Sequence, residues 1–211
     1  SVIGVENVTI KVNHRGILNE FLETIGLREK SEDILRTIDK LAKIGEEKVT
    51  AELIALMEGD SEAECKKDKI MSFISAKEDF DSTLENMSNL AGEKALPHVE
   101  RMKEIRNMMK AAGIEKSFVL DPAITRGLDY YTGVVYETFL NDLPSIGSVC
   151  SGGRYDNLAE LYTKQKLPGV GASLGLDRLF AGLEELNMIE KTAATPKGYP
   201  RQYARIAKNP L

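Results

Sequence analysis

The densest cluster of side chains able to do chemistry is DPAITRGLDYYTGVVYETF, residues 121–139, where Arg126, Asp129, Tyr130, Tyr131 and Glu137 crowd a turn and the strand after it. An arginine offers a planar cation for a phosphate or carboxylate, and phenols hydrogen-bond a polar ring. Gly127 and Gly133 free the backbone between them. A strand with half-buried tyrosines would have the same composition, because Tyr favours strands. A second cluster is SVCSGGRYDNLAELY, residues 148–162. Its paired Gly152 and Gly153 permit a ligand to approach the backbone, and Arg154 with Asp156 lies next to a helix start. A tight turn with a capping Asp is the alternative. The third cluster, GVGASLGLDRLFAGLEEL at 169–186, is a strand of small residues feeding a helix with Arg178 near its start. Small side chains make a flat floor for a purine and an arginine meets phosphate oxygens, although such a strand equally suits packing under a helix. Neither GxxxxGK[ST] nor GxGxxG occurs in the chain.

The elements that must position these clusters follow from periodicity. Val8, Ile10 and Val12 alternate with Thr9 and Lys11 as in a strand, and Ile17, Leu18, Phe21, Leu22 and Ile25 then take up helix spacing, closed by Gly26. Residues 31–113 read as helical throughout, with stripes such as Ile34, Leu35, Ile38, Leu41 and Val99, Met102, Ile105, Met109. Ser61 and Glu64 have capping-box spacing, Pro97 suits a first helical turn, and Gly45, Gly92 and Gly113 suit helix ends. At helical spacing Met102, Met108 and Met109 read as core filler. Beyond Gly113 strands are expected at 118–120, 134–140, 146–151 and 170–174, with helices at 155–162 and 176–186. Strand runs without regularly interposed helices predict an α+β fold on an antiparallel sheet. The expected domains are 1–30 and 114–190 for the sheet-bearing core, 31–113 for a helical unit, and 191–211 for a basic tail or linker.

Composition excludes several classes. With 42% hydrophobic and 29% charged residues in 211, the chain is neither disordered nor collagen-like. No apolar run approaches the ~18 residues that span a bilayer, and the N-terminus lacks a signal-peptide layout, so a cytoplasmic protein without membrane contact is expected. The formal charge of −5 confines any nucleic-acid contact to a local basic patch. Cys65 and Cys150 lack metal or disulfide spacing and read as buried free thiols; His14 and His98 read as isolated, and no metal site is expected.

Together the three clusters resemble the histidyl-tRNA synthetase family of class II aminoacyl-tRNA synthetases. TRGLDYYTGVVYE resembles the family's histidine-binding signature, CSGGRYDNL its second glycine-rich element, and GVGASLGLDRL the third class II motif with its ATP-binding arginine. VTIKVNHRGILNEFLETIGL is similar to the strand and helix that follow the second motif, and 31–113 sits where the family has its insertion domain, associated with the tRNA acceptor arm. The resemblance implies part of a class II antiparallel sheet with flanking helices, plus a helical insertion domain. It implies that Arg126 binds the histidine carboxylate and the ATP α-phosphate, and that Tyr130, Tyr131 and Tyr155 line the histidine pocket. Ser173 and Gly175 would belong to the adenine floor and Arg178 would hold the ATP phosphates, with Mg2+ bridging them. Histidine, ATP and tRNA(His) are the implied partners, and a homodimer the implied assembly of the full-length protein.

The first and second class II motifs and an anticodon-binding domain are not found in this sequence, so the expectation is a piece of a histidine-tRNA ligase that is inactive alone. The alternative is a synthetase-like, histidine-binding regulatory subunit of ATP phosphoribosyltransferase. The intact run from Arg126 to Tyr131, Arg178 and the helical insertion speak against it.

Overall fold

The computed structural model describes residues 5–125 and 130–189. Strand β1 (Val8–His14) passes directly into helix α1 (Arg15–Thr24), because His14 caps the helix: its Nδ1 accepts the Gly16 N–H at 3.1 Å. Ile17, Leu18, Phe21 and Leu22 recur on one side of α1 and are all fully buried. Gly26, at φ 70°, turns the chain away from that helix.

Six further helices follow: α2 (Ser31–Ile38), α3 (Leu41–Ile44), α4 (Glu46–Leu56), α5 (Ala63–Ile74), α6 (Phe80–Ala91) and α7 (Leu96–Ala111). Pro97 occupies the first turn of α7 as its spacing predicts. The capping box at Ser61 does not form. Helix α5 begins at Ala63 without a side-chain cap, and just upstream Asp60 accepts the Glu62 N–H at 2.9 Å and pairs with Lys66 at 2.7 Å. The rings of Phe21 and Phe73 stack at 4.3 Å, and one apolar core runs from Val12 and Leu120 through α1 into the helices. Met102 and Met109 are buried in it, whereas Met108 is exposed. Cys65 is exposed and Cys150 half-buried, which corrects the expectation of two buried thiols; both are free.

The sheet has the order β2-β1-β3-β4-β5, with β2 (Phe118–Leu120), β3 (Val134–Leu140), β4 (Ser148–Tyr155) and β5 (Gly169–Leu174). Three pairings are antiparallel, but β1 and β2 run parallel, so the sheet is mixed. The helices between them return the chain to the end at which β1 began, as a parallel pair requires. Strand β4 starts later than its composition suggests, after a turn at Pro144–Ile146, and runs on to Tyr155 because Gly152 and Gly153 pair with Ala172 and Gly171. The helix expected at 155–162 is reduced to one 3-10 turn, Leu158–Leu161. Helix α8 (Leu176–Glu185) buries Leu179 beside Leu140 and Val149.

Candidate active site

Strand register decides which side chains share a surface. Lys11, Glu137, Ser151 and Ser173 are successive partners across four strands, so they form one row on one face. The next row on that face contains Asn13, Val135, Gly153 and Gly171, and the one beyond pairs Tyr155 with Gly169. The glycines are there to admit tyrosines. A Cβ on Gly153 would lie 2.9 Å from the Tyr131 ring and 2.6 Å from the Val134 carbonyl, and one on Gly171 would lie 2.9 Å from the Tyr155 hydroxyl.

Three tyrosines therefore gather at one end of this face. Tyr130 and Tyr131 have ring centroids 4.3 Å apart, and Tyr155 lies 6.4 and 6.3 Å from them. Burial, and then the neighbouring Tyr130 hydroxyl, push the Tyr131 phenol above the ordinary tyrosine range. It is thus a neutral hydrogen-bonding group at any physiological pH. Ser173 lies open on the same face, roughly two residues along from the tyrosine-covered glycines.

At the other end, Arg178 in the first turn of α8 donates through Nη1 to the Ser148 carbonyl at 2.6 Å. It lines a cavity of about 550 Å³ shared with Lys11, Asp121, Glu137 and Phe139. Lys11 pairs with Asp121 at 2.8 Å and sits 5.2 Å from the centre of the Phe139 ring. Gly175 caps α8, its N–H donating to the Val149 carbonyl at 2.9 Å. The structure thus brings Tyr130, Tyr131 and Tyr155 together and sets Ser173 and Arg178 along the same side of the sheet. Arg126, with Gly127, Leu128 and Asp129, lies outside the described residues. Among the described residues no group of three or more His, Cys, Asp or Glu is placed to hold a metal ion.

Reading the sequence missed the partnership of His14 with His98, whose rings lie 4.9 Å apart on the opposite face of the sheet. The His98 ring lies within 2.6 Å of where a Cβ on residue 16 would stand, so any larger residue there would have to displace that ring. The available signal was a polar residue at a strand-to-helix junction, the position of an N-cap. Burial, and after it the charges of His98, Arg101 and Arg154, hold the His14 imidazole at a pKa of about 4, against 6.5 when unfolded. Because the unfolded chain takes the proton first as pH falls, stability is full above pH 6.5 and declines until the pH passes below about 4. Between pH 7 and pH 5 the loss from this group is expected to be about 2 kcal/mol. His14→Asn keeps a capping side chain and should remove that component of the acid sensitivity. Urea denaturation at the two pH values checks this; an unchanged pH dependence in the variant would count against it.

Comparisons with known proteins agree with this fold. The mixed five-stranded sheet flanked by helices has the fold of a class II aminoacyl-tRNA synthetase: the crystal structure of histidyl-tRNA synthetase from Nostoc sp. PCC 7120 matches with a TM-score of 0.80 at 32% identity, over 90% of this chain and 44% of that one. A Bacillus halodurans ATP phosphoribosyltransferase regulatory subunit/histidyl-tRNA synthetase, at TM-score 0.68 and 21% identity, shares the fold alone. A sequence profile described as histidyl-tRNA synthetase matches residues 1–179. The histidine–tRNA ligase of Treponema denticola is 56% identical over 199 residues, covering 92% of this chain and 43% of its own length. That of Rhodopirellula baltica is 44% identical over 216 residues, covering 97% and 48%. The chain belongs to the histidyl-tRNA synthetase family, and it spans somewhat under half the length of these curated relatives. Among the described residues no helix is long and apolar enough to cross a membrane.

Proposed function

We propose that the intact protein is a cytoplasmic, homodimeric histidine–tRNA ligase that activates histidine with ATP and transfers it to tRNA(His), and that this chain carries the histidine pocket. The observation that supports this most is the gathering of the Tyr130, Tyr131 and Tyr155 rings within 6.4 Å of one another, with Tyr131 and Tyr155 lying over Gly153 and Gly171. An imidazole suits such a cluster: its faces stack on aromatic rings and its nitrogens pair with hydroxyls. In this reading Arg126 enters from the segment preceding Tyr130 and grips the histidine carboxylate together with the α-phosphate. Ser173 and Gly175 lie under the adenine, and Arg178 releases the Ser148 carbonyl to take the phosphates. The helical residues 31–113 form the unit that meets the tRNA acceptor arm.

The carboxylate attacks the α-phosphate in line, pyrophosphate leaves, and the terminal hydroxyl of the tRNA takes the histidyl group from the adenylate. No covalent enzyme intermediate is needed, so the chain's part is to position the reactants and neutralise charge. Magnesium, when bound, neutralises the nucleotide's phosphates. The decisive assay is histidine-dependent exchange of pyrophosphate into ATP by the full-length polypeptide, followed by charging of tRNA(His). Exchange is expected with histidine and not with other amino acids; histidine binding without exchange would overturn the ligase reading.

A further inference from the structure

We propose that Thr132 and Asp156, locked by Arg154, form a clasp whose task is to hold Tyr131 and Tyr155 at the spacing a histidine ring needs. This rests on the histidine-pocket reading above. Tyr131 precedes Thr132, and Tyr155 stands between Arg154 and Asp156. Regular pairing of β3 with β4 begins at Val135 and Gly153, so residues 130–133 lie beyond the ladder. What ties them to β4 is a small closed set of bonds. The Thr132 N–H donates to the Arg154 carbonyl at 2.9 Å. The Thr132 hydroxyl donates to Asp156 Oδ2 at 3.1 Å and accepts the Asp156 N–H, also at 3.1 Å. Arg154 Nε donates to both Asp156 oxygens, at 2.9 and 3.1 Å, which fixes the carboxylate's orientation.

Alternation along the strand places this clasp behind the sheet and the tyrosines in front of it. Arg154 also packs against Gly133, where a Cβ would come within 3.1 Å of its side chain. On the far side the Gly133 carbonyl accepts the Arg15 N–H at 2.8 Å, so the chain at 132–133 is gripped both from β4 and from the first residue of α1. Each tyrosine is therefore one bond removed from a charge-assisted hydrogen bond that does not itself touch substrate. Thr132 and Asp156 are positioning residues. They act by keeping two rings pre-organised, which affects binding of the ring between them more than binding of a nucleotide held elsewhere.

The test is calorimetric titration of the full-length polypeptide with histidine and, separately, with ATP, on Thr132→Val, Thr132→Ser, Asp156→Asn and Tyr155→Phe variants. Thr132→Val keeps shape but removes the hydroxyl, and is expected to weaken histidine about tenfold while ATP affinity changes less than about twofold. Asp156→Asn should do the same to a smaller extent, and Thr132→Ser, which keeps the hydroxyl, should restore histidine affinity. A thermal melt accompanies each variant. If Thr132→Val weakens both ligands equally, or only lowers the melting temperature, the residue is merely structural and the proposal falls. If Tyr155→Phe weakens histidine but Thr132→Val does not, the clasp fails while the pocket stands. If the unsubstituted protein does not bind histidine, the pocket reading fails and takes the clasp's role with it.

Discussion

Arg126→Lys in the full-length polypeptide is expected to slow histidyl-adenylate formation by roughly 10²–10³-fold, about 2.7–4 kcal/mol of transition-state stabilisation. Lysine keeps the charge but loses the planar fork that bridges a carboxylate and a phosphate at once. Charge develops on the α-phosphate during attack, so the loss should appear mainly in the rate of pyrophosphate exchange. Histidine affinity should fall less, because the cluster of Tyr130, Tyr131 and Tyr155 is untouched. The competing role for Arg126 is structural, pairing with a nearby carboxylate. Normal exchange together with a lowered melting temperature would assign it that role instead.

Phe73→Ala is expected to destabilise the chain by about 3–5 kcal/mol, a large share of the ~5–15 kcal/mol that holds a domain folded. Phe73 is fully buried and its ring stacks on Phe21 of α1 at 4.3 Å, so deletion leaves a cavity against a helix that continues directly from β1. The core from Val12 and Leu120 into the helices is continuous, and the void cannot be confined to residues 31–113. Urea denaturation monitored by far-UV circular dichroism should show one transition at a lower midpoint. Two separated transitions, with the sheet signal unshifted, would show that the helices and the sheet unfold independently.

Much of the architecture is legible along the chain where a pattern is long. The spacing of Val134 to Leu140 predicts a strand with the bounds observed, and the apolar stripe at 176–186 predicts α8, which ends one residue earlier at Glu185. Short segments carry less. The three residues of β2 contain nothing that distinguishes a parallel from an antiparallel partner, and the direction was set by the helices that carry the chain back. Strand β4 outruns its composition because Gly152 and Gly153, which weaken a strand locally, gain partners in β5.

The same division holds for the site. The chemical inventory, an arginine, three tyrosines and glycines spaced along two strands, was present in the sequence, because side-chain chemistry is a property of residues and their order. That Tyr131 and Tyr155 face each other, that Thr132 meets Asp156 24 residues further on, and that His14 meets His98 were decided by tertiary structure. Strand register has a period of two, and a slip of one residue would send Tyr155 to the opposite face. Nothing local to Tyr155 prevents that slip; the pairing of Gly153 with Val135 and Gly171, and the lack of room for any larger side chain there, does.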